Sequence, residues 1–364
     1  MKKNIFHDDP LTLIDIGCSG GIANYWRVFG HYLAAYGIDP MIEEIKRLQA
    51  AETNPNVHYW AGYIGLPSDH PFIQKMGARN TVSHSLWDRS STAWGVELLS
   101  NKADDENTKI NLNRWHETKL ADKSICLSAN EFVIKEKISN VDFIKIDVDG
   151  EDFCVLNSCE DVINSRQVLG FMLEVHFVGE ACETDNTFHN TDRFMRERGF
   201  DLFGLTVKNY SRKALPAPFV FAIPGETKWG PPYLGDALYI RDVVNPGKSN
   251  AHPPMSNSKL LKLVAIYEIF NLPDCAAELL IAFREQICKA VNVDFLLNLL
   301  TPEVYGRRLS YQQYIESFSG DITNFYPRDP TMGAIMLRLL RFMWRVTTKK
   351  VTPNDVSLFK AFRD

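Results

Sequence analysis

The sequence predicts an α/β fold, a mostly parallel sheet built from βαβ units, followed by a mostly helical C-terminal region. Three observations carry this. Strand-like apolar runs alternate with helix-like segments over the first two-thirds of the 364 residues. Two of those runs end in turn-forming clusters, Gly17-Cys18-Ser19-Gly20-Gly21 and Asp149-Gly150-Glu151-Asp152. Beyond a proline- and glycine-bearing stretch at residues 245–254 the pattern becomes helical.

Taken in order, Leu11–Ile16 reads as a buried strand entering the glycine-rich turn. Residues 24–33 read as a helix weakened by aromatics and Gly30, and 34–38 as a second strand stopped by Asp39-Pro40. Residues 41–51 form a helix that Pro40 can precede or open at little cost, and 57–62 a third strand. In the long segment 63–139, residues 124–127 are strand-like and 130–137 helical. Residues 141–148 make a strong fourth strand, with a helix over 151–157. A strand at 170–177, a helix at 191–197 and strands at 200–206 and 237–242 complete the pattern. Such spacing requires parallel pairs with right-handed crossovers. The last two strands can form a hairpin, placing an antiparallel strand at the sheet edge. The expected domains are 1–245 and 255–364, the second built from helices at 259–270, 275–291, 302–318 and 332–346. In the first of these, Leu260, Leu261, Val264 and Tyr267 recur at helical spacing.

Composition narrows the function classes. Apolar residues make up 45% and charged residues 23%, which excludes a disordered or collagen-like chain. A formal charge of -5 supplies no global basic field for a nucleic-acid backbone, so no nucleic-acid partner is expected. No apolar run approaches the ~18–20 residues that span a bilayer, and the first residues lack the apolar stretch of a signal peptide. Seven scattered cysteines without a CxxC pair read as reduced thiols of a cytoplasmic protein, not a disulfide framework or structural zinc site.

Chemistry concentrates at three strand ends. Asp15, Gly17 and Gly21, followed by Asp39, fit a nucleotide-binding βαβ unit, with Asp39 22 residues after Gly17 (39 − 17) as the ribose-binding acid. The spacing is not GxGxxG, which counts against a pyrophosphate-containing dinucleotide and hence a dinucleotide-dependent oxidoreductase. Asp15 could instead receive the ammonium of S-adenosylmethionine, a nucleoside with an amino-acid tail and no phosphate. At the fourth strand, Lys145, Asp147 and Asp149 share one face, and at the fifth so do Glu174 and His176. Ligands in open α/β sheets bind beyond the carboxyl ends of the strands, so these groups converge on one crevice. There they can take a proton from a hydroxyl or, as Asp147, Asp149 and Glu174, hold a hard divalent cation. Glu151 and Asp152 read more simply as acids at a helix N-terminus.

Together LIDIGCSGG, GIDP, SICLSANEFV, VDFIKIDVDGEDFCVL and FMLEVHF, in that order, resemble the FkbM-type methyltransferases over residues 11–242. The resemblance implies the Rossmann-like class I methyltransferase sheet of seven strands, the last antiparallel, to which this chain adds a mostly helical C-terminal region. It implies S-adenosylmethionine-dependent O-methylation of a hydroxyl on a sugar, glycan, glycolipid or natural product. Asp15, Gly17, Cys18, Gly21 and Asp39 are then the cofactor-binding set. His176, Glu174 and Asp147 are the catalytic set, with His176 as base. Cys18-Ser19 stands where the family has Ala-Asn, Asp39 where it often has Glu, and Asp149 where it has Glu. The alternative is a non-catalytic module that recruits a partner through the C-terminal helices, which could also support a homo-oligomer.

Several features have plainer readings. Gly230-Pro231-Pro232-Tyr233 echoes the (N/D)PPY motif of amino-group methyltransferases but follows the wrong strand, so it reads as a loop. Trp87, Trp94, Trp115 and Trp229 read as cover over the core before sugar-stacking platforms, and His84 and His116 as surface or packing residues. Arg338, Arg341, Arg345, Lys349 and Lys350 read as the solvated face of an amphipathic helix.

Overall fold

A computed structural model describes residues 5–76, 120–122, 125–218, 220, 226–245, 254–304 and 306–325. Trp87, Trp94, Trp115, His84, His116 and the basic helix expected at 332–346, with Lys349 and Lys350 after it, lie outside the described residues. The chain divides into two compact units, Met1–Leu296 and Leu297–Asp364.

The first unit is a mixed α/β structure around a central, mostly parallel sheet. Its strands are β1 (Leu11–Ile16), β2 (Leu33–Asp39), β3 (Val57–Ala61), β6 (Phe143–Ile146), β7 (Gly170–His176), β8 (Asp201–Leu205), β9 (Lys208–Tyr210), β10 (Glu226–Thr227) and β11 (Pro232–Ile240). They run in the order β10-β9-β11-β7-β6-β1-β2-β3, with β8 also paired to β11. The pairs β1–β2, β2–β3, β1–β6 and β6–β7 are parallel, and β11 is antiparallel to β7 and β8. The sheet, nine strands with β8, therefore exceeds the seven expected by the short β9 and β10. Two further short strands, β4 (Tyr63–Ile64) and β5 (Cys126–Leu127), pair with each other outside the main sheet.

One expectation is corrected. The antiparallel strand does not lie at the edge but between β7 and β8. Ala237, Leu238, Tyr239 and Ile240 are all buried, and a continuous apolar run suits a strand covered on both faces. Gly235 permits the fit, because a Cβ there would lie 1.9 Å from the Thr206 carbonyl oxygen.

Side-chain parity divides the sheet into two faces. On one, Ile14, Ile16, Ile144, Ile146, Phe171, Leu173, Val175 and Tyr239 form the main core with helices α4 (Ala129–Lys135), α5 (Asp152–Ser158), α6 (Glu160–Arg166) and α7 (Phe188–Glu197). The start of α4 is fixed by a capping box between Ser128 and Glu131. On the other face, Trp26, Phe143 and Phe270 pack together, with Phe143 and Phe270 stacked at 5.4 Å. The helix expected at 24–33 is a 3-10 helix over Trp26–Tyr32, interrupted where Gly30 turns to φ 54°.

Helix α8 (Asn257–Ile269) belongs to the first unit, and its lysines explain why. Lys259 Nζ lies 2.7 Å from Asp142 Oδ1, Lys262 Nζ lies 2.9 Å from Asp142 Oδ2, and Lys262 also pairs with Asp9. The unit division thus falls C-terminal to the 245–254 stretch. The helix expected at 275–291 is two, α9 (Pro273–Ala282) and α10 (Arg284–Ile287), and α11 (Val293–Leu300) follows without having been expected. In the second unit, α12 (Tyr311–Gly320) starts at a Ser310–Gln313 capping box, later than the helix expected from 302. Among the described residues no helix is long and apolar enough to cross a membrane. All seven cysteines are free thiols.

Candidate functional site

Register brings the predicted residues to one face. Asp15 is level with Lys145 and with Gly37, two residues before Asp39, and Lys145 is level with Met172, two residues before Glu174. Asp236 of β11 stands opposite Glu174, and Leu234 opposite His176. With period two, Asp15, Asp39, Lys145, Asp147, Glu174, His176 and Asp236 all lie on the face opposite the main core, toward the carboxyl ends of the parallel strands.

The glycine-rich turn is shaped by close approaches. Gly17 has φ 85°, and a Cβ there would lie 1.7 Å from the Asp147 carbonyl oxygen, so only glycine lets β1 turn beside β6. Gly21, at φ 89°, would drive a Cβ to 2.9 Å from Leu48 of helix α2 (Ile42–Ala51). Five of the six N–H groups from Gly17 to Ile22 donate within the protein: Gly17 and Cys18 to Ile38 O, Gly20 to Glu44 Oε1, Gly21 to Cys18 O and Ile22 to Tyr59 Oη. The Ser19 N–H lies beside the Asp39 carboxylate and favours its charged form. No open nest of amides is left for a phosphate.

Beside this turn lies a cavity of about 410 Å³ at the ends of β1, β2 and β6. Gly17, Ser19, Asp39, Tyr63, Asp147 and Val148 are among its walls. Of sixteen described lining residues, four are carboxylates, Asp39, Asp147, Asp149 and Glu151, and none is Lys, Arg or His. Asp39, 4% exposed, accepts from Met41 N at 2.9 Å, and burial raises its pKa above the usual carboxylate range. The pKa of Asp149 is also raised, by burial and then by Glu174 and Asp147. A site so short of positive charge favours a cationic ligand.

Other predicted residues serve the cavity indirectly. Asp15 does not line it; it is 2% exposed and lies 3.2 Å from Lys145 Nζ. Burial raises the Asp15 pKa, and Lys145 works against that. Lys145 also reaches Asp147 at 3.3 Å and donates to Gly17 O at 3.1 Å. Burial opposes the charge on Lys145, but Asp15 and Asp147 outweigh it and raise its pKa. Cys18 is buried against Gly37, and burial pushes its thiol pKa up. Gly21 serves packing. Neither Cys18 nor Gly21 lines the cavity.

Glu174 and His176 form a second cluster, with His176 Nε2 3.8 Å from Glu174 Oε2. Their third member is Asp152, with one ligand-type atom from each residue within 4.8 Å of the others. The set Asp147, Asp149 and Glu174, expected as a cation site, does not converge in this way among the described residues, because Asp147 is drawn to Lys145. Asp152 does act at its helix start. Its carboxylate accepts from Val148 N at 2.8 Å and Gly150 N at 3.0 Å, folding the loop in which Asp149 has φ 56° and Gly150 φ 115°. Burial and then Glu174 push its pKa to about 6. Burial acts against charge on His176, but Glu174 and then Asp152 raise its pKa above the ordinary value.

Sequence reasoning missed the clustering role of Asp152, the clamp at Lys145 and the presence of Asp236. Asp236 accepts from Thr206 Oγ1 at 3.0 Å and was detectable as the one acid in the apolar run LGDALYI.

Residues 81–202 match the family model described as the methyltransferase FkbM domain. The matched segment contains Lys145, Asp147, Asp152, Glu174 and His176, so the resemblance read from these motifs is borne out. The glycine-rich turn and Asp39 precede it. The match supports a methyltransferase. A search of curated proteins returned no match to the chain.

Proposed function

We propose that the chain whose residues 81–202 carry the FkbM methyltransferase domain is an S-adenosylmethionine-dependent O-methyltransferase. The observation that carries this reading is the carboxylate-lined cavity beside a turn whose amides are already spent. A dinucleotide pyrophosphate would meet four carboxylates and no free amide nest, whereas a ligand bearing a sulfonium and an ammonium meets compensating charge. The donor set therefore fits this cofactor. When bound, it supplies a methyl group already activated on a sulfonium sulfur.

The chain's own residues would bind and orient. Asp39, at the tip of β2, would accept the ribose hydroxyls, while Asp147 and Asp149 balance positive charge. Gly17 lets the first strand turn close to that pocket. Lys145 holds Asp147 in place, and Asp15 in turn holds Lys145. Of the residues expected to be catalytic, Asp147 is the one on the cavity wall, so Asp147 would take the proton of the acceptor hydroxyl, contributing about 10²–10⁴-fold. Glu174 and His176 stand at the adjacent strand end. The acceptor, a hydroxyl of a sugar, glycan, glycolipid or natural product, rests on the family resemblance.

Calorimetric titration with S-adenosylmethionine tests the reading. Saturable binding to the native protein is expected, weakened at least about tenfold by Asp39→Ala, which removes a charge-assisted bond worth ~1.5–3 kcal/mol. No binding by the native protein, or unchanged affinity in Asp39→Ala, defeats it. The first outcome would leave the fold as a non-catalytic binding module.

A further inference from the structure

We infer that Asp152, Glu174 and His176 bind one divalent transition-metal cation of the Mn²⁺ or Zn²⁺ class at the carboxyl ends of β6 and β7. Three observations carry this. The first is composition and convergence: two carboxylates and an imidazole, each with an atom within 4.8 Å of the other two. Ligand atoms bound to one ion at ~2.0–2.2 Å stand roughly 3–4 Å apart, and the His176 Nε2 to Glu174 Oε2 distance of 3.8 Å already lies in that span. The second is that the Glu174 side chain, 9% exposed, makes no hydrogen bond among the described residues beyond this approach to His176. Its oxygens therefore keep lone pairs free for a cation beside His176. The third is the surrounding shell. Val148 N, Gly150 N and Asn186 Nδ2 all donate to Asp152 and fix its orientation, as outer-shell donors fix metal-ligating carboxylates. The Asn186 side chain leaves its own Oδ1 buried without a partner beside them. The imidazole selects against Mg²⁺ and Ca²⁺, which prefer all-oxygen shells, and the absence of thiolate selects against soft ions.

On the methyltransferase reading, a cation here would bind the acceptor oxygen and lower its pKa, leaving proton removal to the neighbouring carboxylates. That role rests on the reading above, but metal binding itself does not.

The test uses the full chain, stripped with a chelator and incubated separately with Mn²⁺, Zn²⁺ and Mg²⁺. Retained metal is counted by mass spectrometry after gel filtration, and affinity by titration. The expected result is one equivalent of Mn²⁺ or Zn²⁺, weak retention of Mg²⁺, and at least about tenfold weaker binding in His176→Asn and Glu174→Gln. Both variants should melt like the native protein in chelator. Glu174→Gln keeps size and shape, and it decides the matter alone if His176→Asn does not fold. Asp152 is left intact because it folds the 148–150 loop. No retention of either ion by the native protein, or undiminished retention in the variants, overturns the proposal. S-adenosylmethionine titrated into the same samples separates the two failures. Cofactor binding without metal sinks only this site, and metal binding without cofactor sinks only the methyl-transfer reading.

Discussion

At the amino ends of β1 and β6, Asp142 is fully buried yet meets Lys259, Lys262, Thr12 N and the Asn140 amide, all within 3.1 Å. With Asp9 the group holds two acids and two lysines, and Ser258 donates to the remaining Asp9 oxygen. Toward the carboxyl ends of the parallel strands, the only cations paired with Asp15, Asp39, Asp147, Asp152, Glu174 and Asp236 among the described residues are Lys145, His176 and the more distant Lys208. The first arrangement is charge-balanced and hydrogen-bonded throughout. The second carries excess negative charge, and the buried Asp15 Oδ1 has only the ion pair to Lys145 at 3.2 Å. Buried charge is tolerated when paired and costs stability when it is not. The difference separates the end of the sheet that fastens helix α8 from the end at which we propose that a ligand binds.

Removing charge should therefore have opposite consequences at the two ends. Asp142→Ala strands two buried lysines, and a loss of about 3–5 kcal/mol is expected in chemical denaturation. Asp147→Ala, whose side chain is 43% exposed, should cost under about 1 kcal/mol while, on the proposed reading, lowering turnover about 10²–10⁴-fold. Equal losses from the two variants would end the comparison.

Glu52, at the end of helix α2, gives the next effect, because it is a fully satisfied carboxylate. Arg27 pairs with it bidentately at 3.0 and 2.9 Å, and Tyr59 Oη and the N–H groups of Thr53 and Asn54 also donate to it. Burial opposes its charge, but Arg27 and the backbone donors prevail and lower its pKa from 4.5 to about 2. The folded state thus holds fewer protons than the unfolded one in this range. The resulting stability is fully present above the ordinary value and is lost as pH falls through about 2. Glu52→Gln should cost about 2–3 kcal/mol at pH 7, with the gap closing on acidification. Urea denaturation of both proteins as pH is lowered checks the sign, and a gap that widens in acid contradicts it.

Much of the site was legible because it obeys period two and glycine punctuation. Asp147, Glu174 and His176 could be placed on one face from their own strands, and Gly17 marked the turn at β1. Parity does not report depth, however. Asp15 at the strand end and Cys18 in the turn were read as cofactor contacts, but neither lines the cavity. Asp152 read as a helix-start acid, which it is; its meeting with Glu174 and His176 depends on a loop whose Asp149 and Gly150 take positive φ. Lys259 and Lys262 lie in the helix read at 259–270, and nothing in their local sequence marks them as buried. Their partner Asp142 lies 117 and 120 residues away, a separation at which local periodicity carries no information. The interior place of β11 was hidden likewise, since alternation gives strand existence and not strand order.

The smallest effect is the most discriminating in sign. Asp149 sits on the cavity wall, where partial desolvation and then the acids Glu174 and Asp147 raise its pKa. Its charged form is thus disfavoured in the folded protein, so stability from this position rises as pH falls through its pKa, the reverse of Glu52. Asp149→Asn removes the repulsion and keeps a residue type that accepts the left-handed φ of 56°. Because the residue is exposed, solvent screening limits the gain to a few tenths of a kcal/mol at pH 7. The same substitution should weaken binding of a cationic ligand, since one of four cavity carboxylates is lost. Thermal melting with and without S-adenosylmethionine reads both consequences. A variant slightly more stable alone but less stabilised by the ligand is what a deliberately unbalanced site requires; a variant destabilised in both conditions would mean that the acids at this end serve the fold, as Asp142 does at the other.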